Sequence, residues 1–349
     1  MPGLKGAIIG LGNVALEGHL PAWKGRKDFR VVAGVDSSKE RRELFSKLLP
    51  DVGTFENLEE CLVRNGRDRS LLDFVDIATP PHTHFALIRA ALNAGLHVLC
   101  EKPLVLKRED AAELGSLLLR SGKVLMTVHN WKFAPICRKI SELIREGAVG
   151  DVNRVEWYVL RSGPAVTTLE GKENWRLNPE MSGGGILVDH GWHAFYLVLE
   201  WLAGRPSKIF ATLEKRQYGD LPVEDTAKAR VEFTSPGGVK TVDLFLTWAS
   251  RLRKNSGLIE GTEGRIHVED DRLIVVKGSS PARTFPFEKA LSAGSHHPDW
   301  FDFVIDEFLA EISGASPAGQ NFETARACLE LIERSKESSA KGGAELAMA

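Results

Sequence analysis

Two stretches of this chain carry residue types whose spacing suits chemistry. Asp189 and His193 stand four residues apart within residues 186–202, whose apolar pattern predicts an amphipathic helix. Residues at i and i+4 share a helix face, so the spacing predicts a carboxylate within reach of an imidazole. Such a pair can move a proton; it can equally be a surface ion pair. The second stretch, Gly10-Leu11-Gly12-Asn13-Val14-Ala15, matches the G-x-G-x-x-G/A dinucleotide fingerprint. Its context fits, because the apolar run at 7–9 predicts a strand before it and residues 14–24 can form a helix after it. Gly10 then allows the tight turn, Gly12 lets the backbone approach a pyrophosphate, and Ala15 keeps helix and sheet close. Asp36 ends the next predicted strand, 29–35, where a carboxylate accepts hydrogen bonds from an adenosine ribose. That carboxylate repels the 2′-phosphate of NADP and favours NAD. Ser37, Ser38, Lys39 and Arg41 follow, and can cradle the phosphate if Asp36 turns away.

These groups need a scaffold, and the chain is long enough for two domains, with 349 residues at roughly 150 per domain. Strands predicted at 7–9, 29–35, 75–78, 97–100 and 124–128 alternate with helices at 84–94 and 108–121, which predicts a parallel sheet with right-handed crossovers. Gly95 and Gly122 stand where helix C-caps are expected. After a helix at 135–146, the pattern changes to antiparallel-type strands at 152–160, 207–213, 227–233, 240–248, 258–260, 265–268 and 273–276, with turns at 235–238 and 269–271. Helices at 298–312 and 322–336 close the chain. The reading is α/β, with an N-terminal dinucleotide-binding domain at 1–126, a substrate-binding and oligomerisation domain at 127–340, and a frayed, small-residue tail at 341–349.

Composition excludes several classes. Lys+Arg at 45 against Asp+Glu at 47 gives a net charge of −2, so no basic excess exists to neutralise nucleic-acid phosphates. Cys61, Cys100, Cys137 and Cys328 lie far apart, without metal or disulfide spacing, which suits a reducing cytoplasm. Lys5 before an apolar run mimics a signal peptide, but Gly10, Gly12 and Glu17 interrupt the run and no small-residue cleavage site follows. No stretch approaches the roughly 20 apolar residues of a membrane span.

Further motifs appear in order: Ala78-Thr79-Pro80-Pro81-His82-Thr83-His84, Glu101-Lys102-Pro103, Asn174-Trp175-Arg176, Gly183-Gly184-Gly185-Ile186-Leu187-Val188-Asp189-His190-Gly191-Trp192-His193, Glu224-Asp225-Thr226-Ala227 and Glu260-Gly261-Thr262-Glu263-Gly264. With the fingerprint, they make the chain resemble the Gfo/Idh/MocA oxidoreductases from about residue 5 to 336. The family is named for glucose–fructose oxidoreductase, inositol dehydrogenase and a rhizopine-catabolism protein. The resemblance implies a Rossmann domain followed by an α/β domain with a large, mostly antiparallel open sheet, often used for dimer or tetramer contacts. It also implies hydride transfer between NAD or NADP and a carbinol carbon of a sugar, polyol or sugar derivative.

The resemblance further implies roles. Asp189 and His193 match the family's catalytic pair and Lys102 its motif lysine, giving His193 as acid/base, Lys102 as polariser of the reacting oxygen, and Asp189 as orienter or substrate ligand. Cofactor contacts fall on Gly10, Gly12, Asn13, Val14, Asp36, Thr79, Pro80, His84, Glu101 and Lys102, although His82 and His84 also suit a helix-capping neighbourhood. His19 aligns with a frequent histidine near the nicotinamide. Substrate contacts fall on His129, Asn130, Trp175 and Arg176 as well as Asp189 and His193. Lys132 replaces the usual arginine of its segment, His190 an apolar or small residue, and His296 and His297, just before a helix, suit a solvated loop or a reach toward the site. Two alternatives stay open: redox-neutral sugar chemistry with retained NAD, and a non-catalytic nucleotide-binding regulator.

Overall fold

In a computed structural model, which describes residues 3–67, 72–166 and 174–348, the chain divides into two compact units. The first comprises Met1–Asn130 with Ser295–Arg326, and the second Trp131–Gly294 with Ala327–Ala349. A single cut near residue 126 therefore misses the return of the chain to the first unit.

The first unit holds a parallel sheet of β1 (Leu4–Ile9), β2 (Phe29–Val35), β3 (Gly53–Phe55), β4 (Phe74–Ile77), β5 (His97–Cys100) and β6 (Leu125–Thr127). Their order is β3-β2-β1-β4-β5-β6, the doubly wound arrangement in which the sheet changes direction between β1 and β4. Both faces of such a sheet are covered, so its strands read as continuous apolar runs, and Ala7, Ile8 and Ile9 are all buried. Strand β3 and the helix Lys39–Leu48 were not anticipated. That helix is mostly charged and buries only Phe45, so it presents no apolar stripe to read. Gly122 ends the helix Arg108–Ser121 in the left-handed region, as expected of a C-cap glycine.

The return segment belongs here because of aromatic packing. Trp23 lies 5.0 Å from Phe29, 4.9 Å from Phe74 and 5.9 Å from Phe301, ring centre to ring centre. Phe308 lies 6.0 Å from Phe74. Phe301 and Phe308 come from the helix Pro298–Ser313, whose apolar side thereby completes the first unit's core.

Among its described residues, the second unit builds β7 (Val152–Leu160), β8 (Arg205–Glu214), β9 (Thr226–Ser235), β10 (Gly238–Thr247), β11 (Lys254–Gly261), β12 (Gly264–Glu269), β13 (Arg272–Lys277), β14 (Arg283–Pro286) and β15 (Leu346–Ala347). They form one sheet in the order β14-β13-β12-β11-β7-β10-β9-β8-β15, antiparallel except where β7 meets β10. Alternation along β7 sends Val155, Trp157 and Val159 to one face, where Trp157 packs 5.3 Å from Trp201 of the helix Trp192–Trp201. The tail does not fray as expected. Leu346 pairs with Ile209 at the sheet edge, and the buried Ser338 hydroxyl donates to the Ala344 carbonyl while accepting from the Ala211 N–H. An edge strand with unpaired backbone groups offers pairing to a segment rich in small residues.

Phe74 is 1% exposed at the centre of the aromatic cluster. Phe74→Ala is expected to cost about 3–5 kcal/mol, read as a lower denaturation midpoint.

Candidate functional site

In the first unit, the loops that carry the fingerprint and the Thr79-Pro80 motif meet at the carboxyl ends of β1 and β4. Gly10 has φ +88°, and a Cβ built on it would lie 2.7 Å from the Thr79 methyl and 2.8 Å from the Thr79 backbone nitrogen. Only glycine satisfies both the dihedral and the close approach. Gly12 is different: a Cβ there would meet nothing within 4 Å, which leaves the backbone open to a ligand phosphate. Asn13 and Val14 begin the following helix, whose first turn (Val14–His19) is π-helical before it continues as Leu20–Gly25, and Ala15 is fully buried beneath it.

Asp36 does not turn away. One carboxylate oxygen accepts from the Leu11 N–H at 2.7 Å and the other from the Ser38 N–H at 2.8 Å. The carboxylate is thus fixed against the glycine loop with lone pairs left for ribose hydroxyls. Arg41 is drawn to the Asn13 side-chain oxygen at 3.0 Å, and Lys39 faces Glu43 at 3.7 Å. These residues fit an adenosine dinucleotide.

Beneath the neighbouring loops lies a buried charge cluster. His19 is 2% exposed and stacked 3.8 Å from the Phe301 ring. Its Nδ1 is 2.9 Å from Asp76 Oδ2, and its Nε2 is 3.2 Å from Glu101 Oε1. The Trp23 indole N–H also donates to Asp76 Oδ2, at 2.7 Å. Burial disfavours the imidazolium, but the two carboxylates outweigh it and push the His19 pKa up to about 9. Glu101 is opposed by burial as well, yet His19 and Lys102 hold it below its ordinary value. Its second oxygen accepts from the Lys102 backbone N–H at 3.0 Å. His19 therefore acts as a buried cation that fixes Glu101, and through Glu101 the backbone of Lys102.

His84 sits between two of these loops. It is fully buried; Nδ1 lies 2.8 Å from the Pro103 carbonyl oxygen and Nε2 2.8 Å from the Thr79 carbonyl oxygen. Both ring nitrogens face protein carbonyls, so His84 lies between the Thr79 loop and the Glu101-Lys102-Pro103 segment. Burial lowers its pKa although both carbonyl oxygens favour the charged ring. His82 is exposed. His129 is buried within 3.5 Å of Asn321, whose side-chain amide pairs with the Thr127 backbone as a further strand would. Asn130 follows at intermediate exposure. His296 lies 3.6 Å from Glu17, and His297 stacks 3.5 Å from Trp300, so neither is a plain solvated loop residue.

In the second unit, the glycine run at 183–185 lets another loop approach the start of a helix. A Cβ on Gly185 would lie 1.8 Å from the Glu224 carbonyl oxygen. That oxygen accepts from Ile186 N–H, and the Glu224 carboxylate accepts from Leu187 N–H at 3.0 Å. Next along the motif, Asp225 accepts from the backbone N–H groups of Arg216, Gln217 and Tyr218. Glu224-Asp225 thus serves the scaffold.

The helix that follows begins with a π-helical turn, Leu187–Gly191, before Trp192–Trp201. A π turn bonds i to i+5, so Leu187–Gly191 departs from the α-helical spacing behind the i+4 expectation for Asp189 and His193. The structure sets Asp189 Oδ2 3.2 Å from His190 Nδ1. His193 places Nδ1 2.8 Å from the Tyr196 hydroxyl and stacks on Trp131 at 4.5 Å with an interplanar angle of 10°. Tyr196 and Trp131 were not singled out from sequence; a hydroxyl at i+3 from a candidate acid/base was the available signal for Tyr196. Trp175 and Arg176 lie together on a short 3-10 turn, the guanidinium 4.4 Å from the indole centre, so Arg176 takes up one indole face. Lys132 sits 5.0 Å from the Phe133 ring.

The raised His19 pKa has a consequence for stability. Below about pH 6.5 His19 is protonated whether the chain is folded or unfolded, and the ion cluster contributes in full. As pH rises toward about 9, the unfolded chain sheds this proton first and the contribution disappears. The stability gap between wild type and His19→Gln is expected to shrink by on the order of 3 kcal/mol between about pH 6 and about pH 9.5, as checked by denaturant titration.

Comparison with known proteins follows the same division. Residues 4–129 match the Gfo/Idh/MocA model described as an oxidoreductase family with an NAD-binding Rossmann fold, and residues 137–267 match the Gfo/Idh/MocA C-terminal domain. D-apiose dehydrogenase of Paraburkholderia graminis is 31% identical over 291 residues, covering 80% of this chain and 71% of its own. D-glucoside 3-dehydrogenase of Escherichia coli is 27% identical over 270 residues, covering 72% of each. The structure of levoglucosan dehydrogenase with NADH and levoglucosan superposes with a TM-score of 0.83 at 21% identity, covering 99% of both chains, and so shares the fold. Among the described residues no helix is long and apolar enough to cross a membrane. With an NAD-binding Rossmann domain and the matching C-terminal domain in sequence, the chain is an oxidoreductase of the Gfo/Idh/MocA family.

Proposed function

We propose that this enzyme moves a hydride between NAD and a carbinol carbon of a sugar, polyol or sugar derivative. The observation that carries the reading is the junction of the Gly10 loop with Thr79 at the point where strand order reverses between β1 and β4, with Asp36 fixed against that loop. Open α/β sheets bind dinucleotides at this crevice. The dehydrogenase names of the relatives point to sugars as the substrate class.

Gly10, Gly12, Asn13 and Val14 would hold the pyrophosphate, Asp36 the adenosine ribose, and Thr79, Pro80, Glu101 and Lys102 the nicotinamide half. Bound there, the nicotinamide supplies the hydride acceptor or donor. Lys102 donates a hydrogen bond to the reacting oxygen, and its ammonium stabilises the charge that develops as the proton leaves. His193 takes that proton in oxidation and returns it in reduction. Asp189, Asn130, His129, Trp175 and Arg176 are assigned to substrate binding. Asp189, whose Oδ2 lies 3.2 Å from His190 Nδ1, is assigned as orienter of the acid/base or as a ligand of substrate hydroxyls.

Self-association is assigned to the sheet face opposite Trp157. Tyr158, Phe210 and Phe245 line a groove of about 590 Å³ there. The four cysteines are free and buried, which suits a reducing cytoplasm.

A screen of sugars and polyols with NAD and with NADP, followed at the nicotinamide absorbance, tests the reading. Failure of every carbinol substrate with both cofactors would count against it. Lys102→Ala and His193→Ala are each expected to lower turnover by about 10²-fold or more, with NAD affinity little changed. Asp36→Ser should weaken NAD and relatively improve NADP; tighter NADP than NAD binding in the wild type would contradict the role given to Asp36.

A further inference from the structure

The His193 ring is held on one face and one edge by groups to which the sequence gives no role. Trp131 stacks on it at 4.5 Å with an interplanar angle of 10°. The Tyr196 ring stands nearly perpendicular, at 76°, and its hydroxyl lies 2.8 Å from His193 Nδ1. Tyr196 is 2% exposed, and His193 7%. The hydroxyl is itself anchored, because the Trp131 backbone N–H donates to it at 2.8 Å. Trp131 thus fixes the imidazole twice: directly through its indole face, and indirectly through the oxygen that its backbone holds.

We propose that the Tyr196 hydroxyl oxygen accepts from His193 Nδ1–H and so keeps His193 in the tautomer whose Nε2 exchanges the substrate proton. The inference rests on the reading of His193 as acid/base. A phenolic oxygen has two lone pairs. One takes the Trp131 N–H, and the other takes Nδ1–H. In the oxidation direction, neutral His193 carries its proton on Nδ1 and accepts a second at Nε2, forming imidazolium. In reduction the Nε2 proton leaves for the substrate oxygen and Nδ1–H stays on Tyr196. The bond to Tyr196 is therefore present in both states of the cycle, and no proton passes through the phenol. A hydroxyl that donated into Nδ1 would instead put the neutral ring's proton on Nε2, and such a ring cannot take the substrate proton there. Tyr196 is a positioning residue, acting through His193.

The test reads the tautomer directly. With selective ¹⁵N-histidine labelling, the His193 ring signals are assigned by their loss in His193→Asn, and long-range ¹H–¹⁵N correlation at alkaline pH reports which nitrogen of the neutral ring is protonated. The expected result for the wild type is a protonated Nδ1 and an unprotonated Nε2; a wild-type ring protonated at Nε2 overturns the proposal, whatever any variant does. Tyr196→Phe removes only the oxygen. It is expected to shift the ring toward Nε2–H and lower kcat by about tenfold, the worth of one hydrogen bond, with KM for NAD unchanged. Wild-type tautomer and wild-type kcat in Tyr196→Phe also overturn it. If His193→Ala keeps full turnover, the acid/base assignment fails, and the tautomer result then still states whether Tyr196 accepts from Nδ1.

Discussion

The arrangement of the first unit's candidate site depends on one buried cation. Asp76 sits in the middle of β4, fully buried, and Glu101 follows β5; two carboxylates this close inside a protein repel each other unless something positive lies between them. His19 supplies it, with one ring nitrogen toward each carboxylate. The imidazole must arrive from the helix after the glycine loop, and Phe301 seals its face. The fingerprint loop, β4 and the Glu101-Lys102-Pro103 segment are in this way tied through a single side chain. His84 adds a second tie between the Thr79 and Pro103 carbonyls. The position of Lys102 is thus set by interior electrostatics as much as by its own loop.

The two units solve a similar problem with a similar device. In each, a glycine-rich turn leads into a helix whose first turn is π-helical: Val14–His19 in one, Leu187–Gly191 in the other. A π turn widens the helix and redirects the side chains that leave it, which is why such turns recur at functional positions. At the first, the turn ends on His19. At the second, it carries Asp189 toward His190 and leaves His193 to open the regular helix beside Tyr196. His19 in one unit, and Asp189 and His193 in the other, therefore sit on or directly after the irregular turn.

Much of this was legible in the sequence, and for identifiable reasons. Continuous apolar runs marked the buried parallel strands, and two-residue alternation marked β7, β9 and β10, because each pattern follows from how many faces the strand buries. The glycine loop and Asp36 were legible because a backbone approach and a carboxylate at a strand end leave a local signature. The helix Lys39–Leu48 was not, since it buries almost nothing. Neither was the return of Pro298–Ser313 to the first unit: the periodicity of a helix says that one side is buried, without saying in which core. The π turn at Leu187–Gly191 was not legible either, because residue spacing carries no record of a change from i+4 to i+5.

The motifs divide by physical cause, and the division explains what sequence reading found and missed. Several of the most rigid patterns prove to be backbone fittings: Gly185 exists where the Glu224 carbonyl presses against it, Asp225 gathers three N–H groups of a neighbouring loop, and Gly261 lies where a Cβ would meet the Val149 carbonyl oxygen at 2.3 Å. A fitting of this kind demands one residue type at one place, and so it looks like a signature. Groups that tune a reactive side chain face a looser demand. Any acceptor of suitable reach can serve His193 Nδ1, and any flat ring can cover its face. Tyr196 and Trp131 meet those demands with residue types that read as ordinary core. The residues that give a site its geometry are thus easier to see in sequence than those that give it a protonation state, and only the distances around His193 bring the second kind into view.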